Sequence, residues 1–127
     1  MSVIDTVIRE LLEKTEFVAI VTQGLDRPHV VGNWGDYVRK LGIEGDRIVL
    51  PAGYYRETED NLLRNNQVQV LAASRQVAGS HGPGQGCLLE GTASVLSEGP
   101  DAERVKSMFP WARGALVIEV ASAKVQL

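Results

Sequence analysis

The chain has 127 residues, 44% of them hydrophobic and 23% charged, with a formal net charge of -3. That length suits one domain, residues 1–127, with a real core, and the composition is that of an ordinary soluble globular protein. Thirteen Lys and Arg against sixteen Asp and Glu with no basic run argue against nucleic acid, no stretch reaches the roughly 18 apolar residues of a membrane span, and the lone Cys87 excludes an internal disulfide or a cysteine-only metal cage.

The opening MSVIDTVIRELLEKT is amphipathic and acidic, unlike a signal peptide, so a cytoplasmic protein is expected. Residues 3–14 are predicted to be helical, since Val3, Ile4, Val7, Ile8, Leu11 and Leu12 share a face; Ser2 followed by Asp5 resembles a cap. FVAIVT at 17–22 predicts a strand, QGLDRP at 23–28 a turn, and residues 29–34 the second strand of a hairpin. Gly32 and Gly35 interrupt its end, which implies a bulge or a close approach of another group.

Residues 47–51 predict a third strand, reached through the Gly45–Asp46 turn. A helix follows from about Thr58 to Asn65, with Thr58 as its N-cap and Leu62 and Leu63 as apolar anchors. An ordinary capped connection explains this segment. A helix start also offers unpaired N–H groups and partial positive charge, Gly53 permits close approach, and Arg56 adds a cation, so the same residues form a candidate phosphate site.

QVQVLAA at 67–73 alternates as a fourth strand. The glycine-rich GSHGPGQG at 79–86 precedes a strand rather than a helix, which argues against a dinucleotide loop and for a hairpin tip or long loop. Residues 87–96 form the fifth strand, with Gly91 as a bulge and Cys87 as a buried small hydrophobe. Residues 100–109 predict a helix with Pro100 at its start, and ALVIEVA at 115–121 the sixth strand. Six strands and three helices without regular βα alternation predict a mainly β (α+β) fold, a small antiparallel barrel with helices outside.

His29 and His81 are the only histidines and show no metal-ligand spacing, so no metal site is expected. No GxSxG or SxxK pattern and no distinctive acid–base pair marks a catalytic residue. The aromatics Tyr37, Tyr54, Tyr55 and Trp111 suit a core. Trp34 differs, lying beside Asn33 between glycines, where a flat ring system would find exposed main chain. A phosphate at Thr58 and a flat ring near Trp34 together describe flavin mononucleotide (FMN).

The segments VAIVTQG (18–24), PHVVGNW (28–34), RIVLPAG (47–53), TEDNLLRN (58–65), SRQVAG (74–79), GPGQG (82–86) and PWARGALVIEVASA (110–123) together resemble the small dimeric bacterial FMN-binding proteins of the pyridoxamine 5'-phosphate oxidase-like split-barrel superfamily. The resemblance implies a six-stranded antiparallel split barrel that binds FMN non-covalently at the interface of a homodimer. It places Gly32, Asn33 and Trp34 on one side of the isoalloxazine ring and Pro51, Ala52 and Gly53 on the next strand. By the same resemblance Arg56, Glu57, Thr58 and Asn61 fall at the phosphate, and Trp111 and Leu127 at the flavin of the other subunit. One departure is Glu57, where the family often has a lysine; a carboxylate there repels a phosphate, so Arg56 is expected to take over while Glu57 turns away. Electron transfer or flavin-dependent reduction, with a redox partner protein, is the implied activity. The alternatives are an oxidase of the superfamily, whose second phosphate would need Arg75 or Arg113, and a split-barrel binder of haem or a deazaflavin.

Overall fold

Period-two burial along the strands builds the architecture. The computed structural model describes residues 2–127. Seven strands form one antiparallel sheet: β1 (Phe17–Gln23), β2 (Pro28–Trp34), β3 (Ile43–Glu44), β4 (Arg47–Ala52), β5 (Gln67–Gly79), β6 (Gly82–Leu96) and β7 (Gly114–Val125), in the order β2-β1-β5-β6-β7-β4-β3. Four helices flank it: α1 (Thr6–Lys14), α2 (Gly35–Leu41), α3 (Arg56–Arg64) and α4 (Pro100–Met108).

The expected barrel is present, with two additions. The seventh strand is the two-residue β3, which pairs with β4 across the Gly45–Asp46 turn. The additional helix, α2, starts directly after β2. Gly35 fits there because a Cβ would lie 1.9 Å from the Thr15 carbonyl oxygen. Gly32 is likewise a close-approach position, with the Phe17 ring lying where its Cβ would be. Gly91 sits at a register shift between β6 and β7, the expected bulge. The 79–86 segment is a hairpin tip, because β5 and β6 continue to Gly79 and from Gly82.

The sheet curls until its two edges meet. Asn33, Val18, Ala72, Cys87 and Val125 lie in one row across β2, β1, β5, β6 and β7. Across the remaining gap, Asn33 Nδ2 donates to the Pro51 carbonyl at 3.3 Å, and Pro51 pairs with Ala115. The circuit therefore returns to β7 ten residues from where it left, a strong stagger that goes with tilted strands. No backbone ladder joins β2 to β4, so the barrel is split along that line.

Two apolar clusters hold the fold. The interior is filled by Ile20, Leu50, Leu89, Leu116 and Ile118, with Ile8, Leu11 and Leu12 of α1 packed against it. A second cluster on the outer side of β4 and β7 joins Val49, Ala115 and Val117 to Leu41, Val105 and Phe109 of α2 and α4 and the residue after it. The cap of α1 is Asp5, which accepts from the Ile8 amide at 2.9 Å, and not Ser2. Ser2 instead donates to Asp46, whose carboxylate also accepts from the Val3 and Ile4 amides. Among the described residues no helix is long and apolar enough to cross a membrane.

Candidate functional site

The line where β2 and β4 approach gathers most of the residues singled out in the sequence. Gly32, Asn33 and Trp34 end β2; Pro51 and Ala52 end β4 and Gly53 follows. Asn33 is fixed at both ends of its amide: Nδ2 donates to Pro51 and Oδ1 accepts from the Trp34 amide at 2.8 Å. Tyr55 adds a second bridge, its hydroxyl donating to the Gly32 carbonyl at 3.3 Å. Burial pushes the Tyr55 phenol up to about 12, so it remains a donor at neutral pH. Trp34 is half exposed and meets the edge of Phe17 at 5.4 Å between ring centroids. Trp111 lies against Gly53 of its own chain, where an added Cβ would come within 3.2 Å of the indole, and it belongs to an aromatic group with Tyr37 and Phe109.

Beside this line, α3 begins two residues earlier than the sequence suggests. Its N-cap is Tyr55, in the left-handed region at φ 42°, and no side chain caps it. Thr58 is therefore inside the first turn rather than at the cap. The first intrahelical bond at this end runs from the Glu59 amide to the Tyr55 carbonyl, so the amides of Arg56, Glu57 and Thr58 are left free by the helix. Thr58 is fully buried and its hydroxyl has no hydrogen-bond partner. Such an orphan is unusual and marks a place where a ligand oxygen or water would be accepted.

The charged groups around this helix start are arranged by sign. Glu57 reaches His29 on β2, with Oε2 3.0 Å from Nδ1. Glu59 pairs with Arg113 at 2.9 Å. Arg56 is exposed and takes part in none of the ion pairs among the described residues. A helix N-terminus with paired carboxylates and a free guanidinium favours an anion. A cleft of about 480 Å³ runs along the next turn of α3, lined by His29, Val30, Glu57, Asp60, Asn61 and Arg64.

Two further expected residues are tied within the chain. Asn61 is buried and engaged within the chain: Nδ2 donates to Thr22 Oγ1 at 3.0 Å, and Oδ1 accepts from Arg64 at 2.6 Å. It fastens α3 to β1. Leu127 is tied to Gln85, whose Oε1 accepts from the Leu127 amide at 2.7 Å and whose Nε2 donates to the Leu127 carbonyl at 2.6 Å. The twelve residues of β7 lie between Trp111 and Leu127 along the chain. Sequence reasoning did not find the roles of His29, Tyr55 and Arg113. The only available signals were a bulky residue at a tight connection and a cation next to a strand, both weak by themselves.

Among the described residues no group of three or more His, Cys, Asp or Glu is placed to hold a metal ion. Cys87 is buried, and burial pushes its thiol up to about 11, which suits packing and not nucleophilic attack.

Comparison with known proteins places these features in context. The family model described as pyridoxamine 5'-phosphate oxidase matches residues 4–127. A protein of Nitratidesulfovibrio vulgaris (strain DSM 19637 / Miyazaki F), named FMN-binding protein, is 45% identical over 118 residues, covering 93% of this chain and 94% of its own. Among solved structures, a single-site variant of HupZ from Group A Streptococcus has a TM-score of 0.76 at 14% identity, covering 97% of this chain and 99% of that one. An FMN-binding protein from Syntrophomonas wolfei subsp. wolfei has a TM-score of 0.66 at 15% identity, covering 94% and 83%. At such identities the two structures speak to the fold alone.

Proposed function

This chain belongs to the pyridoxamine 5'-phosphate oxidase family, and we propose that it is a homodimeric FMN-binding flavoprotein of the cytoplasm that transfers electrons to or from a partner protein. The observation that carries this reading is the uncapped start of α3, with the orphan Thr58 hydroxyl in its first turn, beside the line where β2 approaches β4.

The residues present fit FMN. The free amides of Arg56, Glu57 and Thr58, the Arg56 guanidinium and the Thr58 hydroxyl suit a phosphate. Gly32, Asn33 and Trp34 offer one wall for the ring and Pro51, Ala52 and Gly53 the other, both rich in main-chain polar groups. When bound, the flavin supplies the redox chemistry. The chain supplies position and electrostatics. Asn33 and Tyr55 hold the two walls at fixed separation through Pro51 and Gly32. His29 draws the Glu57 carboxylate aside, which reduces the repulsion that the sequence implies at this position.

The dimer is supported by the outer face of the sheet. Val30, Trp34, Phe17 and Leu71 are 61%, 53%, 47% and 43% exposed and lie side by side on β2, β1 and β5. A continuous apolar surface of this kind is uncommon on a monomer. It borders Trp34, so a second copy seated there would cover the ring. Leu127 follows the end of β7, held by Gln85, and on this reading it meets the flavin of the second copy.

A carrier role is favoured over an oxidase that binds a second phosphate compound. Arg113, one of the two cations available for that phosphate, is already engaged by the Gly53 and Tyr54 carbonyls and Glu59. Haem would need His29 or His81; His29 is paired with Glu57, and His81 lies in the exposed β5–β6 turn.

The test is titration of the flavin-free protein with FMN, followed by visible spectroscopy and light scattering. A yellow dimer with one flavin per chain is expected. A colourless protein whose spectrum and mass do not respond to FMN would overturn the proposal. Turnover of pyridoxamine 5'-phosphate with oxygen would overturn its carrier part.

A further inference from the structure

We propose that Arg113 is the positioning residue that turns the β4–α3 loop into an anion receptor, an inference that rests on the FMN reading above. Arg113 immediately precedes β7. Its own amide donates to the Ala52 carbonyl at 2.9 Å, which fixes it opposite the end of β4. From there its side chain spans the whole connection. Nε donates to the Gly53 carbonyl at 3.0 Å and to the Tyr54 carbonyl at 3.1 Å, and Nη2 donates to the Tyr54 carbonyl at 2.6 Å. The same Nη2 lies 2.9 Å from the Glu59 carboxylate in the first turn of α3.

The geometry of the peptide group gives this arrangement its consequence. In a trans peptide the carbonyl of one residue and the amide of the next point in opposite directions, and the peptides among the described residues are all trans. Holding the Gly53 and Tyr54 carbonyls toward Arg113 therefore turns the Tyr54 and Tyr55 amides the other way. In the chain they directly precede the free amides of Arg56, Glu57 and Thr58, and successive N–H groups around a left-handed residue are the makings of an anion-binding nest. The left-handed Tyr55 is the joint at which loop becomes helix. A residue other than glycine persists in that conformation only where its surroundings hold it, and Arg113 holds the residue before it.

Arg113 also acts on charge. Two carboxylates, Glu57 and Glu59, stand in the first turn of α3, where they would oppose a bound anion. Arg113 neutralises one and His29 faces the other, so Arg56 is left as the charge that an incoming phosphate meets. Lysine cannot reproduce this, because one ammonium does not span two carbonyls and a carboxylate with fixed geometry.

The test compares FMN with riboflavin, which lacks the phosphate, on the flavin-free full chain. Dissociation constants are measured by flavin fluorescence for the wild type, Arg113→Lys and Arg113→Ala, with circular dichroism and thermal unfolding of each flavin-free variant as a folding control. Arg113→Ala is expected to weaken FMN roughly tenfold to a hundredfold while riboflavin changes less than about twofold, and Arg113→Lys to fall between. Equal losses for FMN and riboflavin, or no loss for either, would overturn the positioning role while leaving the FMN reading intact. If Arg113→Ala does not fold, Arg113→Lys decides by the same FMN-to-riboflavin ratio. A wild type that binds neither flavin would overturn the FMN reading and this inference with it.

Discussion

The strand β4 and the first half of β7, Gly114 to Ile118, are covered on both faces, while β1, β2 and β5 are covered on one. From Ile48 to Ala52 every residue of β4 is buried, with Leu50 facing the interior and Val49 facing α2 and α4. Along β5, exposed and buried residues alternate from Gln67 to Ala73. The backbone is the same in both; the difference lies in which element covers the second face. Helices cover it on β4 and β7. On β1, β2 and β5 the residues left open include Phe17, Val30 and Leu71, which have the character of covered positions. Half of the sheet is thus finished within the chain, and the other half leaves apolar side chains open.

Substitutions on the two sides should behave differently. Leu116→Ala, in the finished half, should cost about 2–5 kcal/mol in denaturant unfolding, since Leu116 is fully buried and a cavity would remain. A loss below about 1 kcal/mol would show that this half is less tightly packed than its burial implies. Leu71→Glu, in the open half, should convert the proposed dimer to a monomer by light scattering, with monomer unfolding changed by only about 0.5 kcal/mol. A variant that stays dimeric would remove this face as the interface.

The boundary between the halves is the helix start at α3. There Arg56→Ala should weaken FMN about tenfold, whereas Glu57→Ala should leave affinity unchanged or improve it, both read from fluorescence recovery. Equal losses would mean that Glu57 contributes to binding and not merely to His29. The smallest effect belongs to Asp46, in the finished half. Its carboxyl is held below its ordinary 3.8, chiefly by the Ile4 amide and then by the Ser2 hydroxyl and the Val3 amide. A lowered folded value means stability that is present above 3.8 and lost as pH falls through the acid range. Asp46→Asn should flatten that acid limb in a stability–pH profile; an unchanged limb would assign it to other carboxylates.

The barrel was legible in the sequence because alternation of apolar and polar residues is a local signal, as in Val68 and Val70 of β5. What escaped was short or long-range. The two residues of β3 are too few to show a period, and α2 begins with a glycine whose reason, the Thr15 carbonyl, lies twenty positions away. Thr58 looked like a cap because threonine commonly is one, yet the connection before it is shaped by Arg113 from beyond α4. Gly32–Trp34 and Pro51–Gly53, expected at a ring, can be read in the sequence only as two separate segments, and the Asn33–Pro51 bond is what the structure adds. His29 facing Glu57 had no sequence signal, since nothing local joins a residue of β2 to one of α3.

Pro51 gives the barrel an edge that cannot zip. In an extended strand the N–H and C=O of one residue point to the same side, and the Pro51 carbonyl points toward β2, where Asn33 meets it. The proline therefore withholds a donor just where β2 would otherwise knit to β4, and leaves a lone acceptor for one side chain. An ordinary residue here would add a donor and invite the two margins to stitch together. The seam of the barrel, on this view, is kept unpaired by a missing hydrogen atom.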